Sequence, residues 1–161
     1  MAYINKIVVN GAEVQANSIE GIQDASGHNR FIEGDITNIL DNTFTKSYGK
    51  WSLSGTHLMI VIAGAYESAR EFTTGVVVDL ATITIPSWIG EKLYAVDGVL
   101  DSSSIKVVRQ NNAYYTELEM GVYLTKTSDT ELKVALVPQS THTLDFDSYL
   151  RTNFDMLIDN D

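Results

Sequence analysis

The segment from residue 113 to residue 137 alternates side-chain character at every second position, and this period constrains the fold more than any other feature. One face would collect Tyr114, Thr116, Leu118, Met120, Val122 and Leu124, and the other Tyr115, Glu117, Glu119, Gly121 and Tyr123. Successive side chains of a strand point to opposite faces, whereas a helix would mix the two sets, so the pattern predicts a β-strand. After a polar turn at 127–130 the alternation resumes at Leu132, Val134 and Leu136. A second strand is therefore predicted to pair back antiparallel on the first.

Comparable apolar runs recur from Trp51 onward and are separated by short polar links. We expect strands at residues 51–54, 57–63, 73–85, 92–96, 105–110, 113–126 and 131–137. The tail at 144–161 fits either an edge strand or a terminal helix, and a closing strand near 154–158 is preferred. Arg70 and Glu71 are expected in a loop. Strands at this spacing are typical of a mainly β fold, an antiparallel jelly-roll-like sandwich.

The amino-terminal third has a different character. Asn10-Gly11, between short apolar runs at 3–9 and 12–15, predicts a β hairpin because both residues accept positive φ angles. Periodicity then fades, and residues 31–36 fit either a short strand or an extended arm, while 35–40 also fit one helical turn. We therefore divide the chain into an amino-terminal attachment module or arm at 1–48 and a β-sandwich head domain at 49–161.

Composition excludes several functional classes. A length of 161 residues with 44% hydrophobic residues fits one ordinary domain, and a net charge of −10 disfavours binding to nucleic acid or anionic membranes. The chain has no cysteine, and its longest apolar run, at 58–65, is far below the roughly 20 residues that span a bilayer. Membrane insertion is not expected, and the first 14 residues lack the features of a signal peptide.

Two segments place apolar side chains on both faces of a predicted strand, at 58–62 and 76–78. A strand of a two-layer sandwich normally has one face in water, so these segments need a second cover. Either a neighbouring subunit or the chain's own amino-terminal arm can supply it.

The usual signatures of enzymes are missing: the sequence has no phosphate-binding glycine loop, no nucleophile elbow and no paired histidines at metal-ligand spacing. We expect a protein that is not an enzyme and that has no metal and no cofactor. Glu117 and Glu119 would lie about 6.5 Å apart on one strand face. This spacing is compatible with the carboxylate pair of a glycosidase, but acidic residues are also common on the solvent-exposed face of a strand.

A binding role suits the same residues better. Tyr115, Glu117, Glu119 and Tyr123 would form a polar and aromatic patch for a sugar or a neighbouring subunit. Trp88 follows Pro86-Ser87 in a predicted loop, where an indole can stack on a sugar ring or pack beneath the loop. These five residues are the candidate ligand-binding residues.

Three stretches resemble the tail-fibre, baseplate and head-fibre proteins of bacteriophages. They are residues 24–35 (DASGHNRFIEGD), 50–60 (KWSLSGTHLMI) and 78–89 (VDLATITIPSWI), the last similar to a strand that ends at a proline before a surface loop.

The resemblance implies a homotrimer on the virion, made in the host cytoplasm and joined to other virion proteins through the amino-terminal module. It implies adhesion to a host-surface carbohydrate as the function. A purely structural decoration or connector protein of the same particle is the alternative.

Overall fold

The computed structural model describes residues 26–109, 117–144 and 148–158, together with two strands near the amino terminus. The strands are β1 (Lys6–Val9), β2 (Ala12–Gln15), β3 (Phe31–Asp35), β4 (Asn38–Ile39), β5 (Phe44–Ser54), β6 (His57–Tyr66), β7 (Arg70–Phe72), β8 (Val78–Thr84), β9 (Val99–Arg109), β10 (Glu117–Ser128), β11 (Glu131–Pro138), β12 (His142–Leu144) and β13 (Ser148–Leu157). A single helical turn, α1 (Ser87–Gly90), follows β8 in this part of the chain.

Nine of these strands form one antiparallel sheet in the order β3-β5-β6-β13-β9-β10-β11-β8-β4. Two further antiparallel pairs, β1-β2 and β12-β7, form separate two-stranded sheets. The predicted mainly β, antiparallel fold is confirmed, as are the amino-terminal hairpin and the pairing of β10 with β11.

The large sheet comprises two layers that meet at the pairing of β13 with β9. Among the described residues these strands pair at Ser148 with Arg109 and at Tyr149 with Val108, and toward the other end of β13 they diverge. We call β3-β5-β6-β13 the first layer and β9-β10-β11-β8-β4 the second layer. At their other edges the layers are joined by the short chain segment between β3 and β4.

The inward faces of both layers meet in one hydrophobic core. Alternate residues of β6, namely Leu58, Ile60 and Ile62, are fully buried on one side, and Val122 and Leu124 of β10 belong to the same core from the second layer. The strand period of two that the sequence displays therefore places one set of side chains in the core.

Three strand predictions need correction. The expected strand at 73–85 begins only at Val78 as β8, because residues 73–77 form a turn around Gly75, whose φ is +73°, and this turn separates β8 from the preceding β7. Arg70 and Glu71 accordingly lie in β7 rather than in a loop. The expected strand at 92–96 is also wrong: those residues are largely irregular and lead into β9 through a turn at Asp97 and Gly98, both with positive φ.

The segment at 31–36 forms a strand, β3, rather than an extended arm. β3 pairs along its whole length with β5, from Phe31 opposite Ser54 to Asp35 opposite Lys50. The backbone N–H of Ile36 extends the ladder by donating to the Gly49 carbonyl at 2.9 Å. The helical turn considered for 35–40 is replaced by β4. β5 itself runs continuously across residue 48, where the two predicted domains were divided.

A buried polar group ties β5 and β6 to β7. The Tyr66 hydroxyl donates to Oδ2 of Asp41 at 3.4 Å, and Nη2 of Arg70 lies 3.5 Å from the same oxygen. Oδ1 of Asp41 accepts from the backbone N–H of Thr43 at 3.0 Å and from its hydroxyl at 2.6 Å. Burial, and then the negative charge of Asp41, raise the pKa of Tyr66 above its ordinary value.

This shift predicts a loss of stability at alkaline pH. The folded chain holds the Tyr66 proton more tightly than the unfolded chain, so the stabilisation is complete below about pH 10 and falls as the pH rises further. Urea unfolding at about pH 8 and about pH 11 should give a smaller drop for Tyr66→Phe than for the unchanged chain. An equal drop in both proteins would show that Tyr66 does not contribute.

Candidate functional site

The divergence of β13 from β9 opens a cleft between the two layers. Its volume is about 370 Å³, within the range of small-molecule sites. The cleft is lined by Lys92, Leu93, Tyr94, Leu100, Asp101, Asp155, Met156 and Leu157. Its walls therefore come from the end of β13, the start of β9 and the turns that follow α1.

Local sequence explains why this cleft stays open. The positive φ angles of Asp97 and Gly98 turn the chain sharply, and Val96 and Val99 exchange two backbone hydrogen bonds of 2.9 Å across the turn. The segment before the turn is thereby kept out of the sheet, and Tyr94 remains at the rim of the cleft with 84% of its surface exposed.

Two carboxylates give the cleft its polar character. Oδ1 of Asp155 lies 3.1 Å from Nδ1 of His57, and Oδ1 of Asp101 accepts from the backbone N–H of Ser102 at 2.7 Å. These contacts hold one oxygen of each side chain. Within the described part of the chain the second oxygen of each carboxylate has no hydrogen bond, so both can accept hydrogen bonds from a ligand.

Exposed apolar surface stands beside these acceptors. Leu157 ends β13 with 69% of its surface exposed, and the Tyr94 ring is open to solvent at the same cleft. An aromatic ring next to carboxylate acceptors suits a ligand that has both a C–H face and hydroxyl groups. A pyranose ring has this combination.

Trp88, the predicted loop residue, lies in α1. Its ring stacks on the imidazole of His28 with centroids 4.5 Å apart and an angle of 2° between the planes, and the guanidinium of Arg30 lies 5.7 Å from its centroid. The ring is partly buried against the hydrophobic core. Trp88 thus joins the end of β8 to the chain before β3, and one of its faces is occupied by His28.

The other predicted residues belong to β10 or precede it. Tyr123 is half-buried opposite Ala135 of β11 and Ser102 of β9, so it lies on the outward face of the second layer. Glu117 and Glu119 pair through their backbones with Val108 and Lys106, but their side chains fall outside the described part. Tyr115 also falls outside the described residues. No described contact joins Trp88 to Tyr123.

Sequence reasoning did not find the residues of the cleft. Tyr94 was assigned to a strand, and the acidic residues Asp101 and Asp155 belong to segments more than 50 positions apart that only the sandwich brings together. The available signal was Asp97-Gly98, a dipeptide typical of tight turns, which places Tyr94 just before a turn.

Two other kinds of site find no support in the described residues. Among them, no group of three or more histidine and acidic side chains lies close enough together to hold a metal ion. The same part of the chain contains no helix with the length and apolar character needed to cross a membrane.

Comparisons with known proteins find similar structures but no similar sequences. No protein-family model matches the chain, and no curated protein matches it. The distal domain of the mouse adenovirus 2 fibre is similar, with a TM-score of 0.48 and 10% identity over 98% of this chain and 96% of that one.

Two reovirus proteins are also similar. The reovirus attachment protein sigma1, in complex with α-2,3-sialyllactose, has a TM-score of 0.39 and 10% identity over 98% of this chain and 87% of its own. Avian reovirus sigmaC, residues 117–326, has a TM-score of 0.39 and 12% identity over 96% and 79%, respectively. The structural neighbours thus include a domain of a viral fibre and a viral attachment protein.

Proposed function

We propose that this chain is a bacteriophage virion surface protein that attaches to carbohydrate on the host surface through the cleft between its layers. The observation that carries the proposal is the combination of an exposed tyrosine, Tyr94, with the carboxylates of Asp101 and Asp155 in one cleft. The sequence resemblance to phage fibre proteins supplies the biological setting.

The chemistry of the cleft favours a neutral sugar. The Tyr94 ring would stack on the C–H face of a pyranose, while Asp101 and Asp155 would accept hydrogen bonds from its hydroxyl groups. A net charge of −10, and two carboxylates against the single Lys92 in the lining of the cleft, disfavour an anionic sugar. Three copies on one particle would strengthen weak binding at each site through avidity.

Substitution of Tyr94 tests the site directly. Tyr94→Ala is expected to weaken binding of a neutral glycan about tenfold, because the stacking surface is lost, and Asp101→Asn should weaken it by a similar factor. Binding would be measured by titration calorimetry or by NMR shifts on the purified chain, with lactose and α-2,3-sialyllactose as a matched pair. Lactose is expected to bind more tightly than its sialylated form.

The control for this experiment is Glu91→Gln, which removes one exposed negative charge close in sequence to the cleft without altering its lining. It should bind sugar as the unchanged chain does. Absence of binding across a glycan array, or unchanged binding by Tyr94→Ala, would contradict the proposal. Loss of binding in Trp88→Ala instead would favour the site predicted from the sequence.

The second candidate function is structural decoration or connection within the virion, with no ligand. The same fold and the same amino-terminal attachment module would serve that role, and a negative glycan array would favour it. Neither function requires catalysis, and we propose none for this chain. The amino-terminal module would join the head to other virion proteins.

A further inference from the structure

We propose that copies of this chain pack against one another through the outward surface of the first layer, here called the outer face. The outer face consists of Tyr48, Met59, Val61, Ala63, Tyr149 and Arg151. The inference rests on the homotrimer included in the proposed function and assigns the surface that forms it.

Strand register makes these residues neighbours. Ala63 of β6 lies directly between Tyr48 of β5 and Arg151 of β13, since it is the pairing partner of both. Tyr149 is opposite Ala65, the next outward residue of β6. The outer face is therefore one continuous surface across three strands.

Three large apolar side chains of this surface are open to solvent in the described part of the chain, whereas the small Ala63 between them is buried. Tyr48, Met59 and Tyr149 are exposed by 54%, 43% and 48%, respectively. The residues that alternate with Met59 in β6, Leu58 and Ile60, are fully buried in the core. The central strand of the layer thus has an apolar inner face that is covered and an outer face that is not, which is unusual for a soluble monomer.

The composition of the outer face fits a protein interface. Tyrosine, methionine and arginine are the residue types enriched at the centres of such interfaces, whereas lysine and acidic residues are depleted there. Polar and charged residues share this face: Lys50 and Asn153 pair with Val61, Asp155 pairs with Met59, and Glu33 and Asp35 lie on β3 at the edge. The arrangement is a set of exposed apolar side chains interspersed with charges of both signs.

Charge identifies a second copy as the occupant. Arg151 forms no ion pair with any described residue, while Glu33 and Asp35 share a single lysine, Lys50, at 3.4 and 3.8 Å. Both signs of charge are therefore available on the same surface, and a second copy can place its Glu33 or Asp35 against Arg151. Such a surface is complementary to itself, although the chain as a whole carries −10.

At one end the outer face adjoins the wall of the cleft, since Asp155 of the cleft pairs with Met59. Tyr149 lies near the opposite end of β13 from Asp155 and Leu157. A contact between copies that is centred on Tyr48 and Tyr149 would place the cleft at its border.

Light scattering after gel filtration tests the proposal. The unchanged chain should have a mass three times its own 17.8 kDa, and Tyr48→Glu and Tyr149→Glu should each reduce the mass to that of one chain. Tyr94→Glu is the matched control, because it places the same charge on an exposed tyrosine outside the outer face and should leave the mass unchanged. Circular dichroism verifies that each variant is folded.

The outcomes separate this proposal from the proposed function. If Tyr149→Glu is monomeric and still binds lactose at a single site, both the adhesion proposal and the outer-face proposal are supported. A trimer that the substitutions dissociate but that binds no glycan would contradict the adhesion proposal and leave the outer-face proposal standing. A single-chain mass for the unchanged protein at every concentration, or an oligomer that both substitutions leave intact, would overturn the outer face as an interface. If the unchanged chain is a dimer that both substitutions dissociate, the outer face is supported as an interface and the expected trimer is wrong.

Discussion

Phe72→Ala is expected to lower the free energy of unfolding by about 3 to 5 kcal/mol. Phe72 is fully buried at the end of β7, where its ring meets Tyr66 edge to face with centroids 5.5 Å apart and lies 5.7 Å from the ring of His142. The guanidinium of Arg70 lies 5.6 Å from the same ring. Removal of the ring would leave a cavity at the point where β7 and β12 pack on the core.

Glu71→Ala is the matched control, because Glu71 is the preceding residue of the same strand and is exposed. Its effect on stability should be within about 0.5 kcal/mol. Urea unfolding followed by tryptophan fluorescence, at one fixed protein concentration, compares the two variants with the unchanged chain. Similar effects of both substitutions would mean that Phe72 is not packed in the core, and would favour the surface loop that the sequence predicted for Arg70 and Glu71.

The sequence predicted the antiparallel β fold because strand periodicity survives wherever one face meets the core. β10 and β11 were found for this reason, since Val122, Leu124, Leu132 and Val134 fall on every second position and all are buried. The hairpin of β1 and β2 was found from Asn10-Gly11, a local turn signal.

Prediction failed where tertiary contacts decide the structure. β3 has exposed and half-buried residues in alternation, and Gly34 interrupts its apolar pattern because the indole of Trp51 fills the place where a Cβ would lie. The sequence therefore left 31–36 between strand and arm. The run at 92–96 has the composition of a strand, but α1 and the turn at Asp97-Gly98 keep it out of the sheet.

The cleft could not be predicted because its walls come from strands that are distant in the sequence. Asp101 and Asp155 line the same space where β9 and β13, which pair at Ser148 and Tyr149 in the described part of the chain, have separated. The apolar second face of β6 was predicted, by contrast, since Met59 and Val61 alternate with the core residues in the sequence itself. A local pattern reveals which faces are apolar, whereas the position of a cleft depends on how distant strands diverge.

Gly90→Ala is expected to destabilise the fold by about 3 kcal/mol and to weaken sugar binding at the same time. A Cβ at position 90 would overlap the backbone oxygen of Asp129, so α1 and the turn between β10 and β11 would have to separate. Lys126 crosses this contact, since its Nζ donates to the Gly90 carbonyl at 2.6 Å and lies 2.7 Å from Oδ1 of Asp129. The separation of α1 from the turn would therefore also break these two contacts of Lys126.

The effect on binding follows from chain connectivity. The Gly90 carbonyl also accepts from the backbone N–H of Leu93 at 3.1 Å, and Tyr94 is the next residue, so displacement of α1 moves the aromatic rim of the cleft. Ser87→Ala, an exposed change in the same helical turn, should leave both the unfolding midpoint and lactose affinity unaltered. Normal stability in Gly90→Ala would show that α1 does not dock on the β10–β11 turn. Reduced stability with unchanged affinity would show instead that Tyr94 is positioned independently of α1.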